Sequence, residues 1–169
     1  MHHSIFTDST ISAMTSLEST LLDTATAYMQ VFTTLEPDTI TSIQTDDYEH
    51  TFAPASLSLP GPFNREQYAA HITSLRGFLR SFPVRFKRVW PNASQRQVLI
   101  WAESEAEFLE SIKAKSTEED WTFQGEYMWL LTMNESGDKV KQVLEFLDSK
   151  KAEQMRALIF KAMDKQKDL

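Results

Sequence analysis

Two polar side chains within apolar segments are the residues best suited to chemistry. Glu145 is the one carboxylate in the apolar run 143–147, and Tyr127 lies in the aromatic segment 123–129. The turn residues 134–138 lie between these segments, so a β-hairpin would bring Glu145 and Tyr127 close together. A carboxylate inside an apolar cavity is suited to general acid or base catalysis near neutral pH.

The position of Glu145 separates two classes of function. In a closed cavity it favours proton-transfer catalysis. If Glu145 faces solvent or pairs with Lys141 or Arg88, a non-catalytic module that binds a small molecule or a partner protein is favoured. Both interpretations remain open on the sequence alone.

Two histidines are further candidates for the same chemistry. His50 lies between Tyr48 and Phe52 in an alternating segment, and His71 lies on the apolar face of a predicted helix. Each is either a hydrogen-bonded core residue or a residue lining the same cavity. One histidine and one carboxylate suffice for proton transfer on a carbonyl substrate.

Composition excludes several other classes of function. The 169 residues include 17 Lys and Arg against 24 Asp and Glu, and this acidic balance disfavours nucleic-acid binding. There is no cysteine and there are only four glycines, so disulfides, cysteine-ligated metals and glycine-rich nucleotide loops are not expected. The histidine spacing does not predict a metal site. We therefore expect no cofactor.

Neither a membrane span nor a secretion signal is predicted. No apolar run approaches the roughly 20 residues that a membrane-spanning helix needs. The first residues lack the basic start and apolar stretch of a signal peptide. We expect a cytoplasmic protein.

The elements that must position these residues follow from the hydrophobic pattern. Residues 1–15 are predicted to be a flexible tail or the fraying start of a helix, and residues 16–169 a single domain. The pattern predicts three helices with one early strand, then four strands in meander order, then a terminal helix. Segregated helices and antiparallel strands indicate an α+β fold. The third helix is predicted to begin at a cap on Asn64 and to end at Phe82.

Four segments resemble the fungal SnoaL-like proteins of the nuclear-transport-factor-2-like superfamily. They are DYEHTFAPASL (47–57), NREQYAAHI (64–72), GEYMWLLTM (125–133) and VLEFLDS (143–149). Their order and spacing extend the resemblance over about residues 17–150.

The resemblance implies a cone-shaped fold in which a curved, mostly antiparallel sheet packs on three N-terminal helices, with a C-terminal helix added. It also implies a homodimer packed through the sheet. Members catalyse cofactor-free cyclisation, isomerisation, rearrangement or dehydration in fungal secondary metabolism. Their substrates are hydrophobic, oxygenated polyketide, meroterpenoid or alkaloid intermediates.

The resemblance also implies a set of site residues. The catalytic candidates are Glu145, Tyr127, His50, Asp47 and His71. Independently of the resemblance, the enzyme hypothesis gives Gln44, Tyr48 and the aromatic residues Trp101, Trp121, Phe123 and Trp129 as substrate-binding candidates, the last four to exclude water and hold the substrate. Several members carry Arg where this chain has Gln44. If that Arg activates a carbonyl group of the substrate, Gln44 would do so only weakly, which puts the same reaction in doubt.

A dehydratase resembling scytalone dehydratase is a further alternative. That chemistry needs two cavity histidines near a tyrosine and an aspartate. His50 and His71 supply them if both side chains point inward.

Overall fold

The computed structural model describes the backbone of residues 8–115 and 120–167, and the side chains of residues 16–115 and 120–164. Within these ranges the chain forms five α-helices and seven β-strands. The helices are α1 (Asp8–Thr34), α2 (Pro37–Ile43), α3 (Arg65–Leu75), α4 (Glu110–Lys113) and α5 (Ser149–Lys167). The strands are β1 (Gln44–Ala53), β2 (Phe63–Asn64), β3 (Leu79–Ser81), β4 (Val84–Asn92), β5 (Gln97–Phe108), β6 (Phe123–Met133) and β7 (Val140–Leu147). The predicted α+β class is confirmed.

The strands form one mixed sheet in the order β2-β1-β7-β6-β5-β3, and β4 also pairs with β5. Strands β4 to β7 form the predicted antiparallel meander. The early strand β1 runs parallel to β7, with His50 opposite Val143 and Phe52 opposite Glu145. This pairing brings residues far apart in sequence onto one face of the sheet.

Side chains alternate between the two faces of the sheet. In β6, Phe123, Tyr127 and Trp129 are buried on the inner face, while Gln124 and Glu126 are exposed. The predicted alternation of β6 is therefore confirmed. Helices α1 and α3 pack on the inner face, which makes it the wall of the core.

Helix α3 begins as predicted and ends earlier than predicted. Asn64 and Gln67 form a reciprocal capping box at its start. The helix stops at Leu75 rather than Phe82, and a turn follows in which the Gly77 amide bonds to the Ser74 carbonyl. The helix ends here because glycine is a poor helix former. The apolar residues that follow lie in β3, which pairs with β5.

Two further segments lie partly outside the described residues. Helix α1 begins at Asp8, within the segment predicted to be a flexible tail or the fraying start of a helix, and residues 1–7 lie outside the described residues. The connection 109–120 contains α4, and its residues 116–119 are also outside the described residues.

No helix in the described ranges is long and apolar enough to cross a membrane.

Candidate active site

An apolar cavity of about 240 Å³ lies between the inner face of the sheet, α3 and α5. Most of its wall is aliphatic or aromatic, including Phe32, Phe52, Tyr68, Ile72, Leu79, Phe82, Phe123, Leu147, Met155 and Ile159. Glu145, Tyr127 and His71 also line it. The cavity therefore combines an apolar enclosure with a few polar groups, as small-molecule sites do.

Glu145 is a buried carboxylate held by a buried histidine. Its residue is only 6 % exposed, and its Oε2 lies 3.0 Å from Nε2 of His50, which is fully buried. The His50 ring stacks on Tyr68 with centroids 4.1 Å apart. Among the described residues, no hydrogen bond involves Oε1 of Glu145. That oxygen is the one available to a bound molecule.

Two tyrosines lie behind His50, on the side away from Glu145. The Tyr48 hydroxyl is 2.9 Å from Nδ1 of His50 and 2.6 Å from the Tyr28 hydroxyl. Burial raises the pKa of Tyr28 and of Tyr48 well above the ordinary phenol value. Both hydroxyls therefore stay protonated and act as hydrogen-bonding groups rather than as phenolates.

Tyr127 presents a phenol to the cavity. Ser104 donates a hydrogen bond to the Tyr127 oxygen at 3.0 Å, and the Tyr127 ring stacks on Trp129 with centroids 4.6 Å apart. Burial raises the pKa of Tyr127, so its hydroxyl also stays protonated. Because Ser104 is the donor in this bond, the Tyr127 hydrogen is free to bond to a ligand oxygen.

Gly125 makes the orientation of Tyr127 possible. The two residues share the inner face of β6. A Cβ atom on Gly125 would lie 2.2 Å from the Tyr127 hydroxyl oxygen. The phenol can occupy its place beside Ser104 only because residue 125 has no side chain.

His71 lines the cavity from α3. Its ring contacts those of Phe52, Phe63 and Tyr68, with centroids 5.6 to 5.9 Å apart. Burial lowers the pKa of His71, and the nearby Glu145 carboxylate opposes this effect in part. His71 is thus a neutral imidazole at pH 7, able to donate or accept a hydrogen bond.

The structure brings part of the predicted site together. Glu145, Tyr127, His71 and Phe123 line the cavity. Three further predicted residues stand behind this lining: His50 and Tyr48 behind Glu145, and Trp129 beneath Tyr127. Tyr127 and Glu145 share the cavity without bonding to each other, because Tyr127 bonds to Ser104 and Glu145 to His50.

Two predicted site residues lie on the outer face of the sheet instead. The Asp47 carboxylate is exposed and forms an ion pair with Lys141 at 2.9 Å. Trp101 donates to Glu126 and lies under the Lys87 ammonium, 4.6 Å from its ring centroid. Strand alternation explains both placements, since Tyr48 after Asp47 and the residues on either side of Trp101 are buried on the inner face.

Two more predicted residues are buried away from the cavity. Trp121 packs against Phe108 and borders a different pocket. Gln44 is buried near Tyr48, where its amide slightly offsets the effect of burial on the Tyr48 pKa. Neither lines the cavity, so a carbonyl in the cavity would not meet the Gln44 amide.

The arrangement predicted for a dehydratase is not assembled. Of the two histidines, only His71 lines the cavity, together with Tyr127 and Asp148. His50 lies behind Glu145, which bonds to its Nε2. In the part of the chain that the structure describes, no group of three or more acidic or histidine side chains could hold a metal ion.

Sequence reasoning missed several residues of the site. Tyr28, Tyr68 and Ser104 each contact a candidate residue. Helix α5 adds Lys151, Ala152, Met155, Arg156, Ile159 and Phe160 to the cavity wall. The sequence pattern of α5 predicts that one face of the helix is buried. Such a pattern does not show which surface of the protein that face packs against.

The chain therefore has a cone-shaped α+β fold, in which a curved sheet carries helices on its inner face. Between them lies an apolar cavity that contains ionisable groups, as in proteins that bind small molecules. No family model matches the chain. It is 26% identical over 132 residues to austinoid biosynthesis clusters protein H of Penicillium brasilianum, covering 76% of this chain and 83% of that protein.

Two solved structures are similar in fold. AusH from Aspergillus nidulans has 25% identity and a TM-score of 0.67, over 78% of this chain and 85% of that one. BvnE pinacolase from Penicillium brevicompactum has 22% identity and a TM-score of 0.74, over 92% and 96%. The chain has the nuclear-transport-factor-2-like fold and is similar to fungal SnoaL-like proteins, in agreement with the resemblance found in the sequence.

Substitution of Gly125 should disturb the site and the fold together. In Gly125→Ala the new methyl group overlaps the Tyr127 hydroxyl, so the phenol must leave Ser104, and we expect a loss of about 1–3 kcal/mol in unfolding free energy. Urea unfolding measures this loss. Gly77→Ala is the matched control because its Cβ would meet only the Ser74 carbonyl oxygen, at 3.2 Å. Equal losses in the two variants would contradict the proposed overlap.

His71 should make stability depend on pH. Its folded pKa is lowered, so below the ordinary histidine value of about 6.5 the unfolded chain binds a proton that the folded chain does not. Stability is therefore lost as pH falls through this range. His71→Phe keeps an aromatic ring and cannot titrate. When the pH is lowered from about 7.5 to about 5.5, we expect the urea midpoint of His71→Phe to fall less than that of the wild type. Equal falls in the two proteins would refute this prediction.

Proposed function

We propose that the protein is a cofactor-independent isomerase or cyclase that uses acid–base chemistry on a hydrophobic, oxygenated intermediate of fungal secondary metabolism, in the cytoplasm. Polyketides, meroterpenoids and alkaloids are the substrate classes. The observation that supports this most is the Glu145 carboxylate, held by His50, in the same apolar cavity as the Tyr127 hydroxyl. The austinoid-cluster and pinacolase names of the relatives agree with such a role.

In the proposed mechanism Glu145 is the general base. Its Oε1 takes a proton from a carbon next to a carbonyl group, the C–H electron pair forms a C=C bond to the carbonyl carbon, and the carbonyl π pair moves onto the oxygen. The Tyr127 hydroxyl donates a hydrogen bond to that oxygen and stabilises the developing enolate. If the enolate is conjugated with a double bond, return of the proton from Glu145 to the far carbon completes an isomerisation. If the enolate carbon attacks a second carbonyl carbon of the same molecule, the π pair of that carbonyl moves onto its oxygen, which takes the proton from Glu145 and completes a cyclisation.

The apolar wall contributes in two ways. It excludes water, which strengthens the hydrogen bond from Tyr127 and prevents hydrolysis of a reactive intermediate. It also holds the substrate in one conformation, which reduces the entropic barrier of an intramolecular step. His71, as a neutral imidazole, contributes a hydrogen bond to a second oxygen of the substrate.

The base role of Glu145 is tested by exchange of carbon-bound hydrogen. The probe is 2-tetralone, a flat apolar ketone with acidic protons beside its carbonyl, and the measurement is its deuterium incorporation in D₂O by proton NMR. We expect wild-type protein to accelerate exchange and Glu145→Gln to lower the rate by about 100-fold or more, because the amide is not a base.

The matched control is Glu49→Gln, which removes an exposed carboxylate from the other face of β1 and should leave the rate unchanged. Exchange that survives in Glu145→Gln would reject Glu145 as the base. Binding of 2-tetralone without any exchange in the wild type would favour the non-catalytic binding module.

We further propose that the protein forms a homodimer through the outer face of the sheet. Leu144 and Phe146 in β7 are 42% and 49% exposed. They lie opposite Leu130 and Met128 of β6 on the same face. A contiguous apolar area of this kind is typical of an association surface.

Charge on this face should therefore disrupt the dimer. We expect wild-type protein to have a dimer mass by size-exclusion chromatography with light scattering, and Phe146→Glu to have a monomer mass, because a carboxylate would be buried without a partner. Met163→Glu is the control, since Met163 is 40% exposed on α5 rather than on the sheet. Monomeric wild-type protein would overturn the proposal.

A further inference from the structure

We propose that Arg156 is a specificity-determining residue that binds a carboxylate group of the substrate at the open end of the apolar cavity. The substrate is then an intermediate that keeps a free carboxylate at the end remote from its reacting carbonyl group. This proposal rests on the proposed function for the reaction, whereas carboxylate binding can be measured without any turnover.

The cavity has a closed end and an end that opens to solvent. At the closed end, Glu145 and Tyr127 are only 6% and 7% exposed. At the other end Arg156 and Phe160 of α5 line the cavity although both are exposed, Phe160 by 59%. This end, bordered by Arg156 and Phe160, is the mouth of the cavity. A substrate that fills the cavity with its carbonyl group beside Glu145 and Tyr127 ends at the mouth.

One hydrogen bond fixes Arg156 at the mouth. Its Nη2 donates to the Leu57 carbonyl at 2.7 Å, in a partly buried contact. Leu57 ends the 3₁₀ turn Ala55–Leu57, and the loop that follows adds Leu59 and Pro60 to the cavity wall. The guanidinium is therefore positioned before a ligand binds, and its other N–H groups stay available as donors.

Other arginines of the chain are held by carboxylates. Four of them form ion pairs with Asp or Glu, namely Arg65, Arg76, Arg80 and Arg85. Arg156 forms no ion pair with a carboxylate among the described residues, and its hydrogen bond there goes to the neutral Leu57 carbonyl. A guanidinium without a counter-charge on the wall of a ligand cavity favours an anionic ligand.

The carboxylates of residues in the cavity wall do not neutralise Arg156, because each is bonded elsewhere. Glu145 bonds to His50 at the closed end. Asp148 accepts hydrogen bonds from two main-chain amides at the start of α5, and Glu126 pairs with a lysine on the outer face of the sheet. The positive charge of Arg156 is therefore left for a ligand.

Lys151 adds a second positive charge to the same wall. It is half-buried, lines the cavity from the first turn of α5 and contacts the Gln154 amide oxygen at 3.4 Å. Like Arg156, it forms no ion pair with a carboxylate in the described part of the chain. The side of the cavity that α5 forms therefore attracts an anion.

A carboxylate is the anion that fits this position best. Its two oxygens match the parallel N–H groups of a guanidinium, which binds a carboxylate through two hydrogen bonds. The proposed substrate classes are built on skeletons of carbon and oxygen, in which the common anionic group is a carboxylate. We therefore expect one end of the substrate to be charged and the rest to be apolar.

Two analogues of 2-tetralone test the recognition of a carboxylate. One carries a carboxylate and the other a carboxamide, each on the aromatic carbon farthest from the ketone. The two groups have nearly the same shape, and only the carboxylate is charged. By isothermal titration calorimetry at neutral pH and low salt, we expect wild-type protein to bind the carboxylate about 10-fold more tightly than the carboxamide. Equal affinities for the two analogues would overturn the proposal.

Arg156→Met removes the charge and keeps a side chain of similar length. We expect this variant to bind the carboxylate about 10-fold more weakly than wild-type protein does, with little change for the carboxamide. Arg96→Met is the matched control, because Arg96 also donates to a main-chain carbonyl, that of Glu135, and is not among the described residues that line the cavity. Equal losses for both analogues in Arg156→Met would show that the residue only ties α5 to Leu57, and would overturn the proposal.

Arg156→Lys keeps a positive charge at the mouth. We expect it to prefer the carboxylate about 3-fold, less than wild-type protein does, because an ammonium pairs as a point charge without the two parallel bonds of a guanidinium. Salt of about 0.5 M should reduce the preference of both proteins, since the mouth is open to solvent. Loss of the whole preference in Arg156→Lys would reject recognition by charge.

Deuterium exchange of the carboxylate analogue separates recognition from catalysis. We expect Arg156→Met to raise KM about 10-fold with kcat unchanged, because Arg156 contacts a part of the substrate that does not react. A lower kcat with an unchanged KM would place Arg156 in the reaction itself and overturn its role in specificity.

Failure of this proposal differs from failure of the proposed function. If wild-type protein prefers the carboxylate through Arg156 but exchanges neither analogue, carboxylate recognition is supported and the proposed function is not. If exchange requires Glu145 but the carboxylate and the carboxamide bind equally, the function is supported and the role of Arg156 is overturned.

Discussion

Burial of the Glu145 carboxylate is the constraint on which the architecture of the site depends. A carboxylate removed from water is strongly destabilising unless hydrogen bonds compensate it. Here the compensation comes from His50, which lies on β1 and reaches Glu145 because β1 runs parallel to β7 with Phe52 opposite Glu145. A parallel neighbour requires a long connection, and that connection contains α3, which closes the cavity with Tyr68 and His71.

The two faces of the sheet are chemically separate. On the outer face, charged side chains such as Arg85, Glu103 and Lys87 form exposed ion pairs, which contribute little to stability. On the inner face, polar side chains bond to each other in two short chains, one ending at Glu145 and one at Tyr127. Strand alternation directs these chains into the core, on the face opposite to the exposed ion pairs.

The resemblance implied the overall fold, and local patterns predicted individual elements. Period-two alternation correctly predicted the inner face of β6, and the turn residues 134–138 correctly predicted the β6–β7 hairpin, because both depend on neighbouring residues. The same alternation places Asp47 and Trp101 outward, although both were predicted as site residues. The pairing of β1 with β7 and the contact of Tyr28 with Tyr48 join distant segments, so no local pattern contains them.

The spacing of Glu145 and Tyr127 follows from strand register. In the β6–β7 pair Glu145 lies opposite Trp129, and Tyr127 is the next inward residue along β6. Diagonal neighbours of this kind have Cα atoms about 7–8 Å apart. In the proposed mechanism this separation leaves room for a carbonyl group and its adjacent carbon, with the oxygen towards Tyr127 and the C–H towards Glu145. Trp129 stacks on Tyr127, so the residue opposite Glu145 also orients the Tyr127 ring.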